Sequence, residues 1–179
     1  MNKIYINIDK NFSYNKEKLE KFNLQTDSEI NIRFISDFRS SKILRNFITI
    51  ISEKIKIDNI WKSRLILISD ELINNSIEYW SQKWEVNIFK ILIKPKWKNK
   101  LLLNLEITDS WNWTEAKTAK EMILIRNKKK LNWFFKNNWI RGRWLFMIIE
   151  KLVDRLYFKD SENWWLTVWI EKKLEIKKD

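Results

Sequence analysis

A chain with a single glycine has almost nowhere to place a left-handed backbone residue without strain, and this one has only Gly142 against twelve tryptophans in 179 residues. Glycine adopts positive φ freely, whereas a bulky side chain there clashes with the backbone. Average usage would supply about a dozen glycines to a domain of this length, and the tryptophan and glycine counts together match that share. The tryptophans also stand beside turn formers. Asn112-Trp113, Asn132-Trp133, Asn138-Trp139 and Asn163-Trp164 would each be an Asn-Gly turn signal with glycine in place of the indole. A gene that writes glycine as UGA, translated by the rule that reads UGA as tryptophan, accounts for both facts. This hypothesis predicts glycine at Trp111 and Trp144 in the native polypeptide, which peptide mass spectrometry reads directly.

The length suits one domain, and 45% hydrophobic residues are enough to build its core. No stretch approaches the roughly 18 uninterrupted apolar residues of a membrane span, and Lys3, Asp9 and Lys10 interrupt the short apolar runs at the N-terminus. A cytoplasmic protein with no membrane partner is therefore expected. The chain has no cysteine and no histidine, which removes disulfides, thiolate and imidazole metal ligands, and every histidine-based triad. Its chemistry must come from carboxylates, amides, hydroxyls and cations.

The formal charge of +12 invites a nucleic-acid reading, because basic patches bind phosphate backbones and indoles stack on bases. Two features weigh against it. Abundant Lys, Ile and Asn with scarce Ala and Pro is the bias of an A+T-rich genome, and the lysines are dispersed, with Lys128-Lys129-Lys130 the only run of three. A solvated face explains them better. A single-stranded nucleic-acid binder remains a third reading, and it requires the tryptophans to be real.

Alternation of polar and apolar residues predicts strands over 3–8, 29–35, 85–94 and 101–108, with 156–159 and 166–174 closing the chain as a hairpin around 161–165. Helical spacing predicts a helix from Ser40 or Ser41 to about Ile57, and a second from about Lys62 to Tyr79 with Leu65, Ile66, Ile68, Leu72, Ile73 and Ile77 inward. A third is expected from Arg141 to about Asp154, and a short one over 15–22. The stretch 110–138 has weak periodicity and reads as a long functional loop. The expected architecture is an α/β two-layer sandwich: a mixed, mostly antiparallel sheet with helices on one face.

Three segments carry the chemistry. Glu71 and Asn75 lie four residues apart on the second helix and so share a face. Asp109-Ser-Trp111-Asn-Trp113 follows a strand and becomes Asp-x-Gly-x-Gly under recoding. Trp139-Ile-Arg141-Gly142-Arg143-Trp144 precedes the third helix and becomes Gly-x-x-Gly-x-Gly. A carboxylate such as Asp109 can accept a hydrogen bond from an adenine amine, with small residues beside it letting the backbone approach the base. Glycines at a helix N-terminus expose N–H groups that cradle phosphate, and Arg141 and Arg143 can add charge there. An amide oxygen on a helix can complete the oxygen shell of Mg²⁺.

In this order and spacing the segments resemble the ATPase family shared by DNA gyrase B, the ninety-kilodalton heat-shock chaperones, histidine kinases and mismatch-repair proteins, and within it the small stand-alone anti-sigma-factor serine/threonine kinases. The resemblance implies a Bergerat-type ATP-binding fold over residues 29–179, with 1–28 as an N-terminal extension. It also implies ATP and Mg²⁺ as cofactors, Asn75 as the metal ligand and Glu71 as the catalytic base. Asp109 becomes the adenine ligand, and Trp111, Trp113, Trp139, Arg141, Gly142, Arg143 and Trp144 fall in the nucleotide loops. Thr167 matches a threonine lining the pocket, and 114–138 becomes the lid. The family's lid arginine falls where this chain has Ile140. The implied partners are a sigma factor or an anti-sigma-antagonist-like protein, with a homodimer as the implied assembly. A non-catalytic nucleotide sensor or a histidine-kinase-type ATPase domain is the alternative.

Overall fold

Strict alternation in the strands puts one set of apolar side chains on one face of a sheet, and pairing aligns these sets across six strands. A computed structural model describes residues 1–11, 21, 23, 24, 27–109, 118–133, 151–160 and 166–176. Its strands are β1 (Asn2–Asn7), β2 (Ser28–Ile35), β3 (Val86–Lys96), β4 (Lys100–Thr108), β5 (Arg155–Asp160) and β6 (Leu166–Glu175), and they form one open sheet in the order β1-β2-β3-β4-β6-β5. Every neighbouring pair is antiparallel except β1 with β2.

The register runs Ile6, Ile32, Phe89, Ile107, Val168 across five strands, and all five side chains are buried. The parallel row Ile4, Ile30, Ile91, Leu105, Ile170, Leu156 is buried as well. The opposite face carries Tyr5, Asn31, Lys90, Glu106, Trp169 and Tyr157 in register. There Lys90 pairs with Glu106 at 3.2 Å, and the Tyr157 and Trp169 rings stack at 4.2 Å. One face thus drives collapse and the other meets solvent, as half-buried antiparallel sheets do. The expected α+β organisation with a mostly antiparallel sheet holds.

Three helices supply most of the remaining core among the described residues: α1 (Phe38–Lys54), α2 (Asn59–Asn75) and α3 (Ala119–Trp133). Leu44, Phe47, Ile48 and Ile51 of α1, Leu65, Ile68, Leu72 and Ile73 of α2, and Ala119 and Met122 of α3 join the buried strand residues in a single cluster. Helix α1 begins earlier than Ser40 or Ser41. Its cap is Asp37, whose carboxylate accepts the Arg39 N–H at 2.8 Å, while Ser40 turns inward to donate to the Ile35 carbonyl. Asp58 caps α2 in the same way through the Trp61 N–H.

Two further sequence expectations are corrected. The second helix does not run evenly to Tyr79: α2 ends at Asn75 and the chain continues as a π-helical turn, Ser76–Trp80. Nor is 110–138 a loop throughout, because 119–133 is α3. That helix escapes a periodicity reading because its buried side is narrow and Ile123 and Leu124 are exposed. End contacts hold it in place. Thr118 and Glu121 form a reciprocal capping pair, Asp160 of β5 accepts the Ala119 N–H at 2.7 Å, and Arg126 donates to the Leu156 carbonyl. The Thr-x-x-Glu spacing was a legible start signal. Asn132-Trp133, read as a turn signal, accordingly falls in the last turn of α3.

The first strand is part of the same sheet, with Ile4, Ile6 and Ile8 buried. The third predicted helix lies mostly outside the described residues; of its span only 151–154 are described, and 151 and 152 are helical. The short helix over 15–22 and the closing turn at 161–165 also fall largely or wholly outside them.

Candidate functional site

Antiparallel pairing gathers the start of β3, the end of β4 and the start of β6 at one end of the sheet. Thr108 is the register partner of both Ile88 and Thr167, and Asp109 follows immediately. The Thr108 and Thr167 hydroxyls lie 3.0 Å apart, and Thr167 is buried.

Asp109 is only 2% exposed. Its Oδ1 accepts the Leu166 N–H at 3.1 Å, while its own N–H donates to the Leu166 carbonyl, so the residue is clamped to β6 from both sides. Burial pushes its carboxyl up to about 7; the Leu166 hydrogen bond opposes this and the nearby Glu85 charge adds to it. A carboxylate in such a place is held by the fold at a cost in stability, which is characteristic of groups kept for binding or catalysis.

The C-terminal end of α2 comes to the same end of the sheet. Helix α2 packs against β4, and Ser76, directly after it, meets Asn87 of β3. The adjacent asparagines have different roles. Asn74 Oδ1 accepts the Ser41 hydroxyl of α1 at 2.8 Å, which commits it to helix packing. Asn75 Nδ2 donates to the Glu71 carbonyl at 2.7 Å. With its NH₂ fixed to its own helix, Asn75 presents Oδ1 as the atom it can offer a ligand, an arrangement suited to a hard cation.

Glu71 is half-buried one turn before Asn75. Burial raises its carboxyl above the usual range, and the charges of Asp70 and Glu78 raise it further. Its neighbour Asp70 is ion-paired with Arg45 of α1 at 2.7 Å.

Sequence reasoning missed three residues here: Thr108, Ser76 and Asn87. Asn87 had a signal, since alternation puts it in the inward row with Phe89, Ile91 and Ile93, where an amide is out of place. Trp111, Trp113, Trp139, Arg141, Gly142, Arg143 and Trp144 lie outside the described residues. Among the described tryptophans, Trp84 has φ 74°, the left-handed conformation in which glycine is at ease. Trp169, in extended β6, has no such backbone requirement. No protein-family model matches the chain, and no curated protein matches it.

Proposed function

We propose that this chain is a Bergerat-type domain that binds Mg·ATP and transfers the γ-phosphoryl group to a serine or threonine of a small regulatory protein. The observation that carries the proposal is the buried, clamped carboxylate of Asp109 at the sheet end that also receives the C-terminus of α2. A carboxylate withdrawn from water at this cost is suited to accept a directional hydrogen bond from an adenine amine. With Oδ1 committed to Leu166, the amine would approach Oδ2.

Asn75 would hold the metal. Magnesium takes oxygen donors and keeps several waters when it binds between phosphates and a protein group, and the fixed amide of Asn75 fits that requirement. Bound there, the ion would neutralise charge on the β- and γ-phosphates. Glu71, one turn earlier on the same face, would accept the proton of the attacking hydroxyl. That hydroxyl oxygen bonds to the γ-phosphorus as the bond to the β–γ bridging oxygen breaks, and ADP leaves. A carboxyl raised by burial and by Asp70 and Glu78 is a stronger base than an ordinary glutamate. The sigma factor or antagonist-like partner rests on the sequence resemblance alone.

The test uses the protein with Trp111, Trp113, Trp139 and Trp144 replaced by glycine. Calorimetry should show ATP binding strengthened by Mg²⁺ and lost in Asp109→Ala, and the indole-bearing chain should bind more weakly. Transfer of labelled phosphate to co-purified proteins should disappear in Glu71→Gln while ATP binding persists. Absence of ATP binding by the glycine-bearing chain overturns the proposal, and binding without transfer converts it into a nucleotide sensor.

A further inference from the structure

Asn87 is fully buried in a row of the sheet otherwise made of Phe89, Ile91 and Ile93. A primary amide in that setting is unfavourable unless its donors and acceptor are used, and here they are used in a particular direction. Asn87 Oδ1 accepts the Ser81 hydroxyl at 2.6 Å. Asn87 Nδ2 donates to Ser76 Oγ at 3.4 Å, and Ser76 in turn donates its proton to the Ile73 carbonyl at 2.8 Å. The chain of bonds therefore runs from Ser81 through one strand side chain into the last turn of α2.

Ser76 opens the π-helical turn and Ser81 follows its last residue, where the backbone becomes extended. One buried side chain thus fastens both ends of the turn. An isolated π-turn is a locally unfavourable conformation that persists when its surroundings hold it, and such turns recur at functional sites. Asn75 is the residue immediately before this turn. On the sheet side, the β3–β4 register pairs Ile88 with Thr108; carried one residue further, it sets Asn87 across from Asp109.

We infer that Asn87 is a positioning residue that pins the π-helical turn, and with it the amide of Asn75, to the sheet end beside Asp109. Resting on the nucleotide reading given above, it makes Asn87 the link between the metal-holding end of α2 and the adenine-holding end of β4. It touches neither ligand. Its effect is to keep Asn75 Oδ1 at a fixed distance from the base site, so that one Mg·ATP can engage both.

The experiment compares Asn87→Leu, close in volume and unable to make either bond, with the milder Ser81→Ala, in the glycine-bearing full-length chain. Two readouts are taken. In hydrogen exchange without nucleotide, the amides of 74–81 should exchange faster in both variants, more so in Asn87→Leu, while those of α1 stay unchanged. In calorimetry, the factor by which Mg²⁺ strengthens ATP binding should fall about 10- to 100-fold in Asn87→Leu, the usual effect of losing a group that orients a metal ligand. Metal-free ATP binding should stay within about twofold of the parent. A purely structural role would weaken binding equally with and without the metal, and that result overturns the inference, as does unchanged exchange over 74–81 in both variants. If Asn87→Leu fails to fold, Ser81→Ala carries the same criteria. If the parent binds no ATP, the nucleotide reading fails, and the exchange data still decide whether Asn87 holds the turn.

Discussion

Replacing Asp109 by asparagine tests directly whether the fold bears the cost of a buried carboxylate. The side chain keeps its size and its oxygen acceptor for the Leu166 N–H, so the change removes the charge and little else. In the folded protein the carboxyl titrates at about 7 against 3.8 for the free group. Folding therefore raises its proton affinity by about three pH units, or about 4 kcal/mol at about 1.36 kcal/mol per unit. The sign follows from which state holds the proton. Between about pH 4 and 7 the folded state retains it and the unfolded state releases it, so the parent's stability falls as pH rises through this window and levels off above about 7. The amide of the Asp109→Asn variant has no proton to release, and the stability difference should grow from near zero at about pH 4 to about 4 kcal/mol in the variant's favour at about pH 8, a ceiling set by full ionisation. Urea denaturation of both proteins at intervals of about one pH unit across this window measures it, and taking the difference cancels the other titrating groups. A difference that stays constant with pH, or a variant less stable at the alkaline end, refutes the reasoning. The same titration gives ATP binding a pH dependence, since the adenine amine needs the ionised acceptor: affinity should drop as pH falls below about 7.

Two further predictions concern the backbone. Trp84→Gly should stabilise the chain by about 1 kcal/mol in urea denaturation, because a non-glycine residue in the left-handed region costs on the order of 1–2 kcal/mol. The ring is 41% exposed, and its contacts with Arg39 and Lys83 at 5.7 and 5.4 Å are worth about 0.5–1 kcal/mol at an exposed site; a net loss of stability would contradict the account. Asp160→Ala should remove the carboxylate that accepts the Ala119 N–H. The expected loss is about 1 kcal/mol, typical of a helix cap, with faster amide exchange confined to 119–126; protection unchanged there would show that α3 does not depend on this contact.

The strands were legible because alternation is a direct consequence of having one wet and one dry face, and the boundaries at 28–35, 86–96 and 100–108 differ from the sequence expectation by only a residue or two. Helices α1 and α2 were legible from their apolar stripes, but the start of α1 was not. Ser40 and Ser41 look like caps by type, yet both hydroxyls point inward, to the Ile35 carbonyl and to Asn74, and Asp37 has the capping position. The choice between Asn74 and Asn75 shows the limit of spacing arguments. Both lie near the Glu71 face, so spacing does not separate them; the resemblance alone favoured Asn75, and the Ser41 contact, made 33 residues away in sequence, identifies Asn74 as the packing amide. The π-helical turn was illegible for a related reason: Ile77 satisfies the apolar stripe of a continuing α-helix, and the bonds that favour the wider turn come from Asn87 on a neighbouring strand.

Among the described residues, left-handed backbone recurs in several places, at Lys56, Trp84, Lys98 and Asn99, but three other departures from ordinary folding rules share one end of the sheet. Across the sheet the inward rows are apolar almost without exception, α1 and α2 are capped by aspartates, and the outward ion pairs are solvent-facing. At that end an amide stands in an apolar row at Asn87, a carboxyl is buried at Asp109, and a helix widens into a π-turn after Asn75. Each of these is locally unfavourable, and a sequence selected for stability alone would replace Asn87 with a hydrophobe and Asp109 with an uncharged residue. Real proteins break local consistency chiefly where function requires it. Had a single departure stood alone, a structural idiosyncrasy would explain it. Their convergence on the sheet end that carries Thr167 and receives the helix end bearing Glu71 and Asn75 is better explained by a ligand that the fold is shaped to receive, one whose binding energy offsets the stability forgone there.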